Sequence, residues 1–184
     1  MARVRNIPST ELAADAARVY EDFASGYGPF RNQVAVFAHV PPAVKHIMGL
    51  LLELKAAKSI NWRYIELAIV VTSKLNECHY CVAHHKPPLK LEGVSEATID
   101  RLPDTANAPD LDDTDRLVVD YTIAVTRNAQ RIPDQLFRQL RARFSEAEIV
   151  ELTLRIALCG FFNRFNDALQ IDDELAGSAA HAAE

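Results

Sequence analysis

The chain has 184 residues, with 20 Lys and Arg against 25 Asp and Glu for a formal net charge of −5, and 49% hydrophobic residues. That balance gives no basis for nucleic acid or an anionic membrane as a partner, and the apolar fraction argues against a disordered chain. The length suits one domain that buries roughly 70% of its unfolded-chain surface. It is expected over 1–175, with its core at 43–169 and a small, polar, disordered tail at 176–184.

No apolar signal core follows Met1-Ala2-Arg3-Val4-Arg5, and no stretch reaches the roughly 18 apolar residues of a membrane span. A cytoplasmic protein is therefore expected. In a reducing compartment three cysteines do not make a disulfide framework, so a close pair is catalytic, redox-sensing or metal-binding.

The elements read as helices throughout. Ser9-Thr10-Glu11 offers a first helix start, running to about Ala24 and stopping in Ser25-Gly26-Tyr27-Gly28-Pro29. A short apolar piece, Val34 to His39, leads to Pro41-Pro42 and a helix from Ala43 to about Lys58, with proline tolerated in its first turn. Asn61 caps a helix from Trp62 to Leu75 whose middle, Tyr64 to Val71, holds Glu66 as its single charge. With no second strand to pair with, this run is read as a central helix.

The segment carrying two of the cysteines follows from about Glu77, and Pro87-Pro88 should break or kink it just after His85. Ser95 caps a short helix to Leu102, and Pro103 to Pro109 form a polar link. Asp112-Asp113-Thr114 opens a helix through Val125, and Ile132-Pro133-Asp134 starts another that ends near Phe144. In that helix the Arg138, Arg141 and Arg143 cluster reads as a wet face. Ser145-Glu146-Ala147-Glu148 suits the start of a long last helix through Leu169. The fold class is all-α, a bundle of about seven to nine helices.

The chemistry concentrates in Asn76-Glu77-Cys78-His79-Tyr80-Cys81-Val82-Ala83-His84-His85. On a helix Cys78, Cys81 and His85 fall within an arc of about 60°. Helical i, i+3 spacing also brings Cα atoms to roughly 5 Å, within reach of a disulfide. A thiolate is the species that attacks peroxides and disulfides, so the site must lower a cysteine pKa from about 8.5, with helix N-terminal potential and an imidazole to help. The second thiol then resolves a sulfenic acid before over-oxidation.

Glu66 is an independent clue. A carboxylate among apolar neighbours is costly to bury charged unless paired, and burial suits it to a proton relay. It either serves that role or forms a structural ion pair with an arginine such as Arg63. Glu77 reads as a first-turn helix acid, His79 as solvent-facing and Cys159 as a plain core residue. Tyr80 and His84 are possible supporting residues, and spacing alone does not choose between His84 and His85. A zinc site is a lesser alternative, because a fourth ligand would have to come from Cys159, His39 or His46.

Glu66, then Cys78-His79-Tyr80-Cys81, then His85 resembles the signature of the AhpD-like alkyl hydroperoxidases of the carboxymuconolactone decarboxylase superfamily. Asn163-Arg164-Phe165-Asn166-Asp167-Ala168 is similar to that family's closing helix. The resemblance implies an all-α fold assembled as a homo-oligomer, trimer or hexamer. It implies that Cys81 meets a small organic hydroperoxide, that Cys78 resolves it, and that Glu66 and His85 relay the proton. No bound cofactor or metal is implied. The expected partner is an external dithiol reductant, a lipoyl group or a thioredoxin-like protein.

Two positions depart from the pattern. Tyr80 stands where the best-known members carry histidine, which shortens the relay, and Pro87-Pro88 interrupt a usually continuing helix. The cysteine pair argues against the decarboxylase branch. The alternative function is a non-catalytic, redox-sensing or structural helical oligomer of the same fold.

Overall fold

Three side chains start helices as their chemistry suggests. Asn61 Oδ1 accepts from Arg63 N at 3.0 Å, and Ser95 Oγ accepts from Thr98 N at 3.2 Å. Asp112 and Asp115 form a reciprocal capping box at 2.8 and 3.0 Å. Each such cap satisfies a backbone donor left over at a helix start and is worth about 1 kcal/mol.

The structure is a computed structural model that describes residues 2–176. Apart from Ala176, the tail expected to be disordered lies outside the described residues. Among the described residues all regular structure is helical: α1 (Ala14–Gly26), α2 (Arg31–Phe37), α3 (Pro41–Ala43), α4 (Gly49–Ala57), α5 (Trp62–Leu75), α6 (His79–Leu91), α7 (Glu96–Arg101), α8 (Asp113–Asn128), α9 (Asp134–Arg141) and α10 (Glu146–Leu169). This is the expected all-α class. No described helix is long and apolar enough to cross a membrane.

The chain divides into two units, Met1–Lys58 with Asn166–Glu184, and Ser59–Phe165. In the first, Ser9–Glu11 is only a 3-10 turn, and the helix expected from Ser9 begins at Ala14. Neither Pro8 nor Ala13, the residues before those two starts, supplies a side-chain cap. A π-helical segment, Val44–Met48, joins α3 to α4 and buries Val44 and Met48 completely. Phe23, also fully buried, stacks on Tyr27 with ring centroids 4.7 Å apart.

In the second unit α5 is the axis. Residues 65 to 73 are all buried, and α6 and α8 pack on this helix. Its first turn is tied down by Arg63, whose Nη2 lies 2.7 Å from Asp115 Oδ2 and 2.7 Å from the carbonyl oxygen of Asp110. Burial, the main counterweight, is outdone by the Asp115 hydrogen bond, which raises the guanidinium pKa and keeps it charged. Tyr64 meets Phe144 edge-on at 5.3 Å, and Tyr121 Oη is 2.6 Å from Thr153 Oγ1, bringing α9 and α10 into the same core. Ser145 and Glu148 cap α10 reciprocally, Ser145 N donating to Glu148 Oε2 at 2.8 Å and Glu148 N to Ser145 Oγ at 3.3 Å.

Asp115 has 2% side-chain exposure, so removing its arginine strands a buried carboxylate. Arg63→Ala is expected to lower unfolding free energy by about 3–5 kcal/mol, as truncation of one partner of a buried pair does. Urea denaturation of the variant against the parent checks this; a loss below about 1 kcal/mol would place the pair among weak surface bridges.

Candidate active site

Glu66 sits at 2% exposure between Ile65, Leu67 and Ala68, none of which has any exposure. Its Oε2 lies 2.8 Å from Nδ1 of His85, itself buried at 8% exposure. An ionised carboxylate only accepts, so Nδ1 is the donor, and a neutral ring then presents Nε2 as its basic nitrogen. The acid of α5 therefore meets the imidazole of α6, and Arg63, the alternative partner, is committed to Asp115. Of the two adjacent histidines, His85 is the one on Glu66. His84 is fully buried, with Nδ1 2.8 Å from the carbonyl oxygen of Tyr80 and its ring stacked on Tyr80 at 4.1 Å.

The thiols hang on the turn between α5 and α6. Cys78 N donates to Ser73 O at 2.9 Å and Glu77 N to Lys74 O at 3.1 Å, the two bonds of a Schellman motif. That motif needs a left-handed residue, and Glu77 supplies it with φ 59°. After α6 the same motif recurs with Val94 N to Leu89 O at 3.3 Å and Gly93 N to Lys90 O at 3.0 Å, this time with the customary glycine at φ 86°. A non-glycine there stores on the order of 1 kcal/mol of strain. Glu77 is thus an exposed turn residue that ends α5, where the sequence suggested a first-turn acid of the next helix.

Cys78 is consequently the N-cap of α6, at φ −82° and ψ 96°, with its carbonyl accepting from Val82 N at 3.1 Å. Cys81 follows in the first turn. Both side chains are buried, at 0% and 4% exposure, and both are thiols. Tyr80 is buried and His79 is exposed, as expected of it.

Of the break or kink expected after His85, no break occurs. Pro87 and Pro88 lie inside α6, which runs on to Leu91. They remove two donors toward the preceding turn. The helix is held by Leu89, fully buried in the core, and closed by the Gly93 motif.

Sequence reasoning missed the surroundings of Cys159. It is buried among core residues, but its Sγ lies 3.3 Å from Ser73 Oγ and 3.5 Å from the carbonyl oxygen of Ile69. Asn163, at 1% exposure, donates from Nδ2 to Ser73 Oγ at 3.2 Å and accepts at Oδ1 from Asn76 Nδ2 at 2.8 Å. A buried polar set from α10 thus holds the end of α5 and the turn before Cys78. The available signal was a polar asparagine in an apolar helix, without any clue to its partner. Burial pushes the Cys159 thiol up to about 12, with the nearby charges of Cys78 and Glu66 adding to the rise against the hydrogen bond with Ser73. His39, read from the sequence as one source of a fourth zinc ligand, has Nε2 2.9 Å from Arg5 O.

Residues 41–110 match the model of the carboxymuconolactone decarboxylase family. An uncharacterized protein of Bacillus subtilis, YdfG, is 24% identical over 139 residues, spanning 75% of this chain and 94% of its own. A crystal structure from Agrobacterium tumefaciens, described as a protein of unknown function and a candidate antioxidant-defence AhpD, superposes with a TM-score of 0.66 at 28% identity. It covers 74% of this chain and 94% of that one. The AhpD core of an uncharacterized peroxidase-related protein from Ralstonia eutropha gives a TM-score of 0.78 at 19% identity, over 94% and 92% of the two chains, and shows the shared fold.

With its thiol protonated at neutral pH, Cys159 is expected to resist alkylation. Iodoacetamide at pH 8, followed by mass mapping, should leave it at least about tenfold less modified than Cys78 or Cys81. Comparable labelling of all three in native protein would contradict its assigned environment.

Proposed function

We propose that this chain, whose residues 41–110 match the carboxymuconolactone decarboxylase family and which has the AhpD-like fold, is a thiol-dependent reductase of small organic hydroperoxides. The observation that carries this reading is the buried contact at 2.8 Å between Glu66 of α5 and His85 of α6, the helix that Cys78 caps and that bears Cys81. The antioxidant description of the Agrobacterium relative points the same way.

In this reading His85 takes the Cys81 proton, directly or through one water. The Cys81 thiolate attacks the distal peroxide oxygen, the O–O bond breaks, and the alkoxide leaves as alcohol with the proton returned by His85. Cys81 is now a sulfenic acid. Cys78 attacks its sulfur and releases water, leaving a Cys78–Cys81 disulfide, and the conversion of hydroperoxide to alcohol and water is complete. An external dithiol then supplies two electrons to reopen the bond. Glu66 keeps His85 in the tautomer with Nε2 basic and stabilises the imidazolium while it holds the proton.

The same reading carries a homo-oligomer, of trimeric or hexameric order. Val150, Leu154 and Phe161 are exposed at 67%, 36% and 41% on α10. Their spacing keeps them within about 40° of one line on the helix, an apolar seam suited to another copy. The burial of both thiols favours one competitor, a redox-sensing pair that turns over no substrate.

Steady-state consumption of a panel of organic hydroperoxides with dihydrolipoamide or thioredoxin as donor separates the two. Catalysis is expected with at least one pairing, abolished in Cys81→Ser and in Cys78→Ser. Glu66→Gln should lower kcat/KM by about 10²-fold, the scale of a lost acid–base relay. Turnover that survives in both cysteine variants, or none with any hydroperoxide, would remove the enzyme reading.

A further inference from the structure

We propose that Cys78, and not Cys81, is the sulfur that exchanges with the external reductant, and that it does so through its own cavity, sized for a dithiol on a slender arm. This rests on the redox reading above and adds the place where electrons come in.

The cavity has a volume of about 300 Å³ and is lined by Ser73, Lys74, Glu77, Cys78, His79 and Val82. Among the described residues its wall contains neither Cys81 nor the Glu66–His85 pair. A reagent entering it therefore comes up against the N-cap residue, Cys78, and not against Cys81. Its volume is at the lower end for small-molecule sites. Cys78 has no exposed surface of its own, so a thiol on the face of a folded protein is held off, and a thin alkyl arm seated in the cavity meets it only as the surrounding wall opens.

The backbone around this sulfur is fixed. Cys78 N is held by Ser73 O, Ser73 Oγ accepts from Asn163, and Asn163 also holds Asn76. Ser73 thus belongs both to the cavity wall and to the buried polar set. Cys78 further sits at the N-cap of the 13-residue α6, at the end of the helix that faces the cavity. Cys81, one turn from His85 in the helix, is the leaving group because the imidazole is at hand to protonate its departing thiolate.

The exchange balances as follows. One reductant thiolate attacks Cys78 Sγ; the Cys78–Cys81 bond breaks, and Cys81 departs as a thiolate that takes up a proton. The reductant's second thiolate attacks its own sulfur in the mixed disulfide, closing a cyclic disulfide and releasing Cys78 as a thiolate that is then protonated. Two electrons pass from the dithiol to the protein pair.

The test needs no hydroperoxide, so its failure is distinct from failure of the peroxidase reading. Full-length protein is oxidised with diamide, mixed briefly with 2-mercaptoethanol, quenched in acid and digested with trypsin. Tandem mass spectrometry then locates the adduct within Leu75–Lys90, since Lys86 precedes a proline and resists cleavage. The adduct is expected on Cys78 over Cys81 by at least about tenfold, the attacked sulfur being set by access. Val82→Trp, which fills the cavity, should slow reduction of the preformed disulfide by dihydrolipoamide by at least about tenfold. An adduct mainly on Cys81 or shared equally, or an unchanged dihydrolipoamide rate in Val82→Trp, would overturn the proposal. Failure of diamide to form the disulfide at all would sink both this and the peroxidase reading.

Discussion

A carboxylate buried at 2% exposure in an apolar helix has to be answered by a partner, and here the answer is His85 at 2.8 Å. Left unpaired, an ionised Glu66 would cost several kcal/mol or give up its charge. The contact therefore fixes the rotation of α6 against α5 as firmly as the apolar packing does. It also fixes which face of α6 carries the cysteines relative to the acid, because Cys81 and His85 are one turn apart. The packing of these helices and the proposed chemistry depend on the same 2.8 Å contact.

The second constraint is the three-residue turn that joins these helices. Asn76 closes α5, Glu77 takes the left-handed conformation, and Cys78 opens α6. Such a short connection leaves the first thiol little freedom, and the Asn163–Ser73 and Asn163–Asn76 hydrogen bonds from α10 remove more of it. Preorganisation of this kind raises the effective concentration of one thiol toward another, as the proposed closing and reopening of the pair requires. The strain at Glu77 is local and is outweighed by the core on either side, where Ile69, Val70, Val71 and Leu89 are buried.

Much of this was legible in the chain. The helical class followed from composition and from caps such as Asn61, Ser95 and Asp112, all of which act through contacts within four residues. Glu66 stood out because a lone charge in an apolar run is anomalous whatever its partner. Its partner was open between a proton relay and an arginine such as Arg63, and helical spacing placed His84 almost as well as His85 against Cys81, so that only the family resemblance pointed to His85. What was not legible depends on contacts distant in sequence. Arg63 finds Asp115 52 residues away, and Asn163 finds Ser73 90 residues away. Pro87-Pro88 misled for the same reason: local propensity argues for a break, and burial of Leu89 in the core overrides it. Glu77 misled because the turn demands a conformation that its residue type does not advertise.

The account stands or falls on the state of one ring. Nitrogen-15 NMR of histidine-labelled protein at neutral pH, with His85 assigned by its loss in His85→Gln, reports which ring nitrogen carries the proton. A protonated Nδ1 with a pyridine-like Nε2 in the parent, and loss of that preference in Glu66→Gln, is the predicted result. A His85 protonated at Nε2 with Nδ1 bare, or a tautomer indifferent to Glu66→Gln, would contradict it.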